Sequence, residues 1–551
     1  MMADVVVAGQ EMMIISYAQM LLCPPLLVLL LVALLFLFFP SNTSGHHKHR
    51  HEKTVSHGSN NKVVPLPPSP PGLPIIGHLH LVGDQPHVSL RDLADKHGSH
   101  GLMLLRLGAV PTLVVSSARA AEAVMRTHDH VFASRPPSMV VDILMRGSMD
   151  VAFAPYGERW RQTRKLVTAH LLTVKKVRSF RHARHDEVRL AIAKLRRRHP
   201  QATAADMSDL LYSFANDVVC RAVSGKFFLA EGRNQLFREL IGMNTALLDG
   251  FNVEDYFPRL AQFHLLTRVV CAKANKLQQR WHYLLDKLID AHATNNINLQ
   301  LRDQDDAPAN EQEITTDFID VLLSLEQEYG LTRNQMKAIL MDMFAAGTDT
   351  SYIVMEYAMT ELVRNPHTMA KLQEEVRTNT PKGQDMVTEE NLGNMTYLKA
   401  VIKETLRLHP PAPLLLPRQS MADCTIDGYT IPAQTRVVIN AWAISRDPRS
   451  WERAEEFMPE RFMMTAGSTT CRVDFKGNDF QFTPFGAGRR ICPGLNFGLA
   501  TVEIMLANLI YCFDWEVPTG MRKEDIDMTD EFGLTLRRKD KLFLVPKPVD
   551  V

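Results

Sequence analysis

Pro484-Phe485-Gly486-Ala487-Gly488-Arg489-Arg490-Ile491-Cys492-Pro493-Gly494 is the stretch on which the reading of this chain turns. A cysteine thiolate is one of the few protein groups that ligate haem iron, and it pushes electron density onto the metal so that bound dioxygen splits. The neighbours suit that task. Gly486, Gly488 and Gly494 allow tight turns that bring the backbone close to a flat macrocycle. Arg490 offers a charged fork to a haem propionate. Pro493 fits the first turn of a helix whose positive N-terminal end helps keep Cys492 ionised. A single cysteine is more often a small buried thiol. The spacing of Phe485, Gly488, Arg490, Cys492 and Gly494 takes Cys492 out of that class.

That spacing resembles the haem-binding signature of the cytochrome P-450 family. The resemblance implies a mainly α fold with a minor β region, an N-terminal transmembrane anchor, and haem b with Cys492 as its axial metal ligand. Phe485 and Arg490 would then be cofactor-binding residues.

Working towards the N-terminus, the longest helix candidate opens at Thr332, where Thr332 and Gln335 have capping-box spacing. It closes at Asn365-Pro366. In its middle lies Ala345-Ala346-Gly347-Thr348-Asp349-Thr350-Ser351. Gly347 costs about 1 kcal/mol against alanine inside a helix, and Thr348, Thr350 and Ser351 can bond back to carbonyls and bend it. Read structurally, this is a tolerated polar interruption of a buried helix. Beside the cysteine loop it resembles the family's oxygen-activating acid–alcohol pair. That implies Thr350 and Asp349 as catalytic residues, the first holding oxygen and the second relaying protons.

Glu404 and Arg407 stand three apart, on one helix face. Most such pairs are surface ion pairs of little energy. Their place between the long helix and Pro459-Glu460-Arg461-Phe462 resembles the family's Glu-Arg-Arg triad, a structural lock with Arg461 as third member. Trp160 and Arg164 stand four apart and would ordinarily read as a core tryptophan and a surface arginine. In the family they contribute propionate contacts, and Arg418 in Leu416-Pro417-Arg418 matches another; Arg436 is a weaker match. By the same analogy the substrate contacts come from Phe132 to Met149, Phe344 and Ala345, Ala412 to Leu416, and Phe532 to Thr535. These stretches are mostly apolar, which suits a small lipophilic or aromatic substrate.

The rest of the chain sets bounds. Its 551 residues are 46% hydrophobic and 22% charged, the balance of a globular protein with a large core. A net charge of +1 gives no reason to expect nucleic acid. Seven scattered cysteines without a CxxC pair argue for a reducing compartment. Leu26 to Phe39 is entirely apolar, although Pro24 and Pro25 interrupt the run before it. Asp4 and Glu11 precede it and Lys48, Arg50, Lys53 and Lys62 follow, so the positive-inside rule puts the body in the cytosol. Residues 1–39 therefore read as an uncleaved signal anchor, and 40–74 as a polar linker ending in a proline-rich hinge. Residues 75–551 read as one catalytic domain. Leu102 to Val115 and Cys424 to Asn440 read as strands. Thr294 to Asp317 reads as a polar surface loop. Leu495, Leu499, Val502, Leu506 and Leu509 form the stripe of a buried helix behind the cysteine.

Ala346 to Glu361, His409 to Gln419 and Met528 to Lys541 look most like the grass group that includes the indole and indolinone hydroxylases of benzoxazinone biosynthesis. The implied function is monooxygenation of a small plant metabolite with O2. Electrons would come from NADPH through a cytochrome P-450 reductase in the endoplasmic reticulum membrane. Two rivals are a haem-thiolate enzyme that rearranges or dehydrates, and a non-catalytic haem-binding membrane protein. The intact Asp349 and Thr350 speak against the first.

Overall fold

The computed structural model describes residues 64–198, 204–225, 233–249, 252–262, 264–302, 316–463 and 473–549. The apolar run read as a membrane anchor lies outside the described residues. Residues 64–551 form one unit.

Seven helices position the site: α1 (Glu158–Leu166), α2 (Met207–Ser224), α3 (Arg233–Asp249), α4 (His264–Arg302), α5 (Arg333–Arg364), α6 (Thr396–Leu408) and α7 (Leu495–Cys512). α5 starts and stops where its sequence requires. Thr332 and Gln335 cap each other reciprocally at its N-terminus, and Asn365 ends it before Pro366 opens the next helix. Buried along most of its length, α5 packs on α2, α7, α6, α3 and α4. α7 is apolar on nearly every side because it too is enclosed. Among the described residues it alone is long and apolar enough to cross a bilayer, yet 67% of it is buried inside the protein. It is a core helix.

Four strands form the main sheet: β1 (Leu102–Leu107), β2 (Val110–Val115), β3 (Arg418–Gln419) and β4 (Arg436–Ile439), in the order β1-β2-β4-β3. β1 and β2 make an antiparallel hairpin through Gly108, at φ +63°. β4 runs parallel to β2, pairing Thr112 with Arg436, and β3 pairs antiparallel with β4, setting Arg418 opposite Val437. Both stretches read as β-prone are strands, the second supplying β4 and the pair Cys424–Ile426 with Tyr429–Ile431. The proline-rich stretch is bonded to the same region. Leu104 N–H donates to Pro68 O (2.9 Å), Thr430 N–H to Pro65 O (2.8 Å), and His78 bridges Pro70 O and the Arg106 N–H.

One reading is corrected. The polar run from Thr294 is not loop at its start, because α4 continues to Arg302. Trp281, Leu285, Leu288 and Ile289 anchor the helix in the core. Once a helix is nucleated, each added residue gains one backbone bond, so propagation carries it into polar sequence.

Glu404, Arg407 and Arg461 do form a buried charge lock. Arg407 Nε and Nη2 donate to the two Glu404 oxygens at 2.7 and 2.8 Å, and Arg461 Nε adds a third bond at 3.0 Å. Met458 N–H also donates to Glu404, while the carbonyls of Ser445, Ala454 and Glu456 accept from Arg407. Both α6 side chains are fully buried.

Candidate haem site

The cysteine loop is shaped by one bond and two left-handed glycines. Cys492 N–H donates to Phe485 O (2.9 Å), closing the loop. Gly486 and Gly488 lie at φ +66° and +67°. A Cβ on Gly488 would sit 2.2 Å from Met125 O and 2.6 Å from Asp129 Oδ1, so this position admits no side chain. Gly488→Ala is therefore expected to cost about 1–3 kcal/mol through backbone strain alone, and more through the clash. Thermal unfolding together with haem content checks this; an unchanged melting temperature would contradict it.

Gly494 does a different job from the one its sequence suggests. Its φ is −85°, which any residue adopts, and it caps α7. α7 also begins two residues later than Pro493 implied, at Leu495. The helix end still reaches the sulphur. Burial pushes the Cys492 thiol up, while the N–H groups of Gly494 and Leu495 and the Arg164 guanidinium pull it back towards thiolate. Beneath the loop, Phe485 stands edge-on to Phe475 (5.5 Å), which packs in turn on Phe482.

Four arginines converge beside the loop. Arg490 donates to the carbonyls of Ala133 (2.7 Å), Val151 (3.3 Å) and Ala154 (2.6 Å), and its guanidinium lies 3.9 Å from the Trp160 ring centroid. Trp160 on α1 donates its indole N–H to Val151 O. Arg164, one turn further along α1, donates to Ile491 O, next to the cysteine. Arg418 on β3 bonds Asp129 Oδ1 (3.1 Å) and Ala487 O (2.7 Å). The fourth is Arg135, which the sequence reading missed. It is buried and donates to the carbonyls of Ala152, Leu416 and Pro417.

Asp129 and Asp150 are the buried carboxylates nearest these four guanidiniums, and Asp129 also holds Arg489 at the rim. Burial and the neighbouring Arg418 lower Arg490 to about 9. Arg135 is lowered by burial and then by Arg490 and Arg418. A low-dielectric cluster with surplus positive charge favours an anionic partner. Haem b presents two propionate carboxylates and an iron that takes a thiolate, which the arginine cluster and Cys492 would meet, so the residues present fit that group. Arg436 is engaged elsewhere, donating to Asp255 O and lying over the Tyr256 ring.

Across from the loop, α5 shows one break in its burial. Met343, Ala346, Gly347 and Thr350, spaced as one helix face, are partly or fully exposed, as is Ala345 beside them, while Phe344, Thr348, Asp349 and Ser351 are buried. Thr350 Oγ1 donates to Ala346 O (2.7 Å), leaving its lone pairs on that face. A Cβ on Gly498 would lie 3.9 Å from Ser351 Oγ, so α5 and α7 cross next to Thr350 and six residues from Cys492. Asp349 points elsewhere. Its Oδ2 accepts from Thr245 on α3 (3.1 Å), and burial raises it to about 6. Phe344, read as a substrate contact, instead stacks on Phe237 (4.2 Å) in the core between α3 and α4.

The sequence profile of the cytochrome P-450 family matches residues 67–545. The chain belongs to the cytochrome P-450 family. It is similar to an indole-2-monooxygenase of Zea mays, 60% identical over 487 residues and covering 88% of each chain. An indolin-2-one monooxygenase of Zea mays is 57% identical over 493 residues, covering 88% of this chain and 89% of that one. A 3-hydroxyindolin-2-one monooxygenase of Zea mays is 55% identical over 487 residues, covering 88% of each. Among solved structures, a zebrafish cytochrome P-450 determined with abiraterone superposes with a TM-score of 0.66 at 22% identity, covering 85% of this chain and 100% of that one. This cytochrome P-450 is a haem-thiolate monooxygenase that acts on a small molecule with O2 and electrons from a redox partner.

Proposed function

We propose that this enzyme hydroxylates an indole- or indolinone-type metabolite, with the Cys492 loop and the arginines beside it as the residues that would hold haem b. What carries the reading is the meeting, at one place in the fold, of the Cys492 loop, a surplus of buried arginines and the exposed Ala346–Thr350 face of α5. Three maize relatives named for indole-type substrates support the substrate class. When bound, the haem activates dioxygen so that one oxygen atom enters the substrate and the other leaves as water.

The protein's own residues divide the remaining work. Cys492 would supply the thiolate to the iron; burial raises its thiol, and two N–H groups and Arg164 partly offset that rise. Arg164, Arg418, Arg490 and Arg135 would neutralise the propionates, with Trp160 bracing Arg490 and Phe485 packed edge-on to Phe475. Thr350 has spent its hydroxyl hydrogen on Ala346, so its oxygen is left as an acceptor on that exposed face. Asp349 lies behind it, turned to Thr245 with Arg537 and Asp249 around it, and would exchange its proton near pH 6.

Because Asp349 is raised to about 6, it is protonated below that pH and ionised above it. Wild-type turnover is expected to inflect near pH 6, and Asp349→Asn to lose both the inflection and roughly 10²-fold in rate. Steady-state rates from pH 5 to 8 test this; a retained inflection in the variant would remove Asp349 from the proton path.

The apolar run Leu26 to Phe39 and the basic residues after it support a single-pass anchor in the endoplasmic reticulum with the catalytic domain in the cytosol. The redox partner is then the membrane-bound NADPH-cytochrome P-450 reductase. Purified enzyme with reductase, NADPH and indole or indolin-2-one should give a hydroxylated product. Absence of product from both, with turnover of a non-indolic aromatic, would overturn the substrate class.

A further inference from the structure

The segment Asp150–Ala154 stands between the arginine cluster and α5, and both sides of its backbone are bonded. On one side its carbonyls accept. Val151 O takes the Trp160 indole N–H (3.0 Å) and Arg490 Nη1 (3.3 Å), Ala152 O takes Arg135 Nε (2.9 Å), and Ala154 O takes Arg490 Nη2 (2.6 Å). On the other side its amides donate to carboxyls. Asp342 Oδ2, from α5, accepts from Val151 N–H (2.7 Å) and Ala152 N–H (3.3 Å). Asp150 Oδ2 accepts from Phe153 N–H (2.7 Å). Asp150 is fully buried and Asp342 is 7% exposed. A buried N–H must find an acceptor, and the Ala152 N–H shares its peptide plane with Val151 O, which accepts from both Trp160 and Arg490, so the group that takes this amide holds that carbonyl and with it the short segment that carries Ala152 O and Ala154 O.

We propose that Asp342 is a positioning residue for the cofactor: from α5 it fixes the Val151–Ala152 amides and thereby aims Arg490, Arg135 and Trp160. Two observations bear on how it does so. Burial, and then the neighbouring Asp150, push the Asp342 carboxyl well above the usual carboxylate range, which disfavours a negative charge there. Its place eight residues before Thr350 also ties the arginine cluster to the helix that bears Thr350. Asparagine is isosteric with the aspartic side chain and retains the acceptor; serine offers a shorter acceptor; alanine offers none.

The inference rests on the haem placement proposed above, so the experiment includes Arg490→Ala. Ferric holoenzyme is prepared for the wild type, D342N, D342S, D342A and R490A. Haem transfer to excess apomyoglobin and the haem midpoint potential are measured. Losing an outer-shell support is expected to cost about tenfold or more. D342A should lose haem about tenfold faster than wild type and shift to lower potential, as positive charge leaves the propionates. D342S should fall between, and D342N should stay within about twofold of wild type with an unshifted potential. If D342A does not fold, D342S alone decides. D342A or D342S at the wild-type rate, or D342N as fast as D342A, would overturn the positioning role while R490A still loses haem quickly. R490A at the wild-type rate would instead strike at the haem placement itself.

Discussion

Arg407→Ala is expected to lower stability by about 3–5 kcal/mol, because it leaves a buried carboxylate without its main partner. Glu404 would keep only Arg461 and the Met458 N–H, in a site with no access to water. The carbonyls of Ser445, Ala454 and Glu456 would lose the Arg407 donor at the same time. Against a total stability of about 5–15 kcal/mol this is a large fraction, and holoenzyme yield should collapse. Lysine should not rescue, since one ammonium cannot reproduce the bidentate bond to Glu404 together with three carbonyl contacts. The control is Arg453→Ala, which breaks an exposed pair with Glu456 and should move the unfolding midpoint little. Denaturant unfolding of the three proteins, followed by far-UV circular dichroism, measures the difference. An Arg407→Ala midpoint equal to that of Arg453→Ala would contradict the lock.

Cys492→Ala is expected to abolish turnover while leaving a folded protein. The backbone bond that closes the loop, Cys492 N–H to Phe485 O, does not involve the side chain. The loss would therefore be chemical. Without the thiolate nothing in the loop pushes electron density onto the iron. Product formation with reductase and NADPH should fall to background, and the melting temperature of the apoprotein should hardly move. Measurable product from Cys492→Ala would place the proximal ligand elsewhere.

The two ends of this site differ in how much of it could be read from sequence. The cysteine loop and the long helix were legible because their chemistry is local: capping residues three apart, glycines two apart and a proline after the helix all act within a turn. The Glu404–Arg407 pair was legible for the same reason, at i and i+3. Arg135, Asp129, Asp150 and Asp342 were not. Asp129 meets Arg418 across 289 positions of chain, and Asp342 meets Val151 across 191. No periodicity marks a pairing made by tertiary packing. Phe344 was misplaced by less, one helix position. Helical neighbours sit about 100° apart, so Phe344 turns into the core while Ala345, the next residue, is half-buried and Ala346 exposed. The α4 extension shows the converse limit: polar composition did not reveal that a well-anchored helix would run on through it.

The most direct test of the account is the carbon-monoxide difference spectrum of the reduced enzyme, recorded for the wild type, Cys492→Ala and Cys512→Ala. Cys512 is the informative control, a buried thiol at the far end of α7 that faces the Asp385 carbonyl and Arg196. The account predicts the thiolate-ligated band in the wild type and in Cys512→Ala, and its disappearance in Cys492→Ala. A thiolate band that survives in Cys492→Ala would contradict the assignment of Cys492 as the haem ligand.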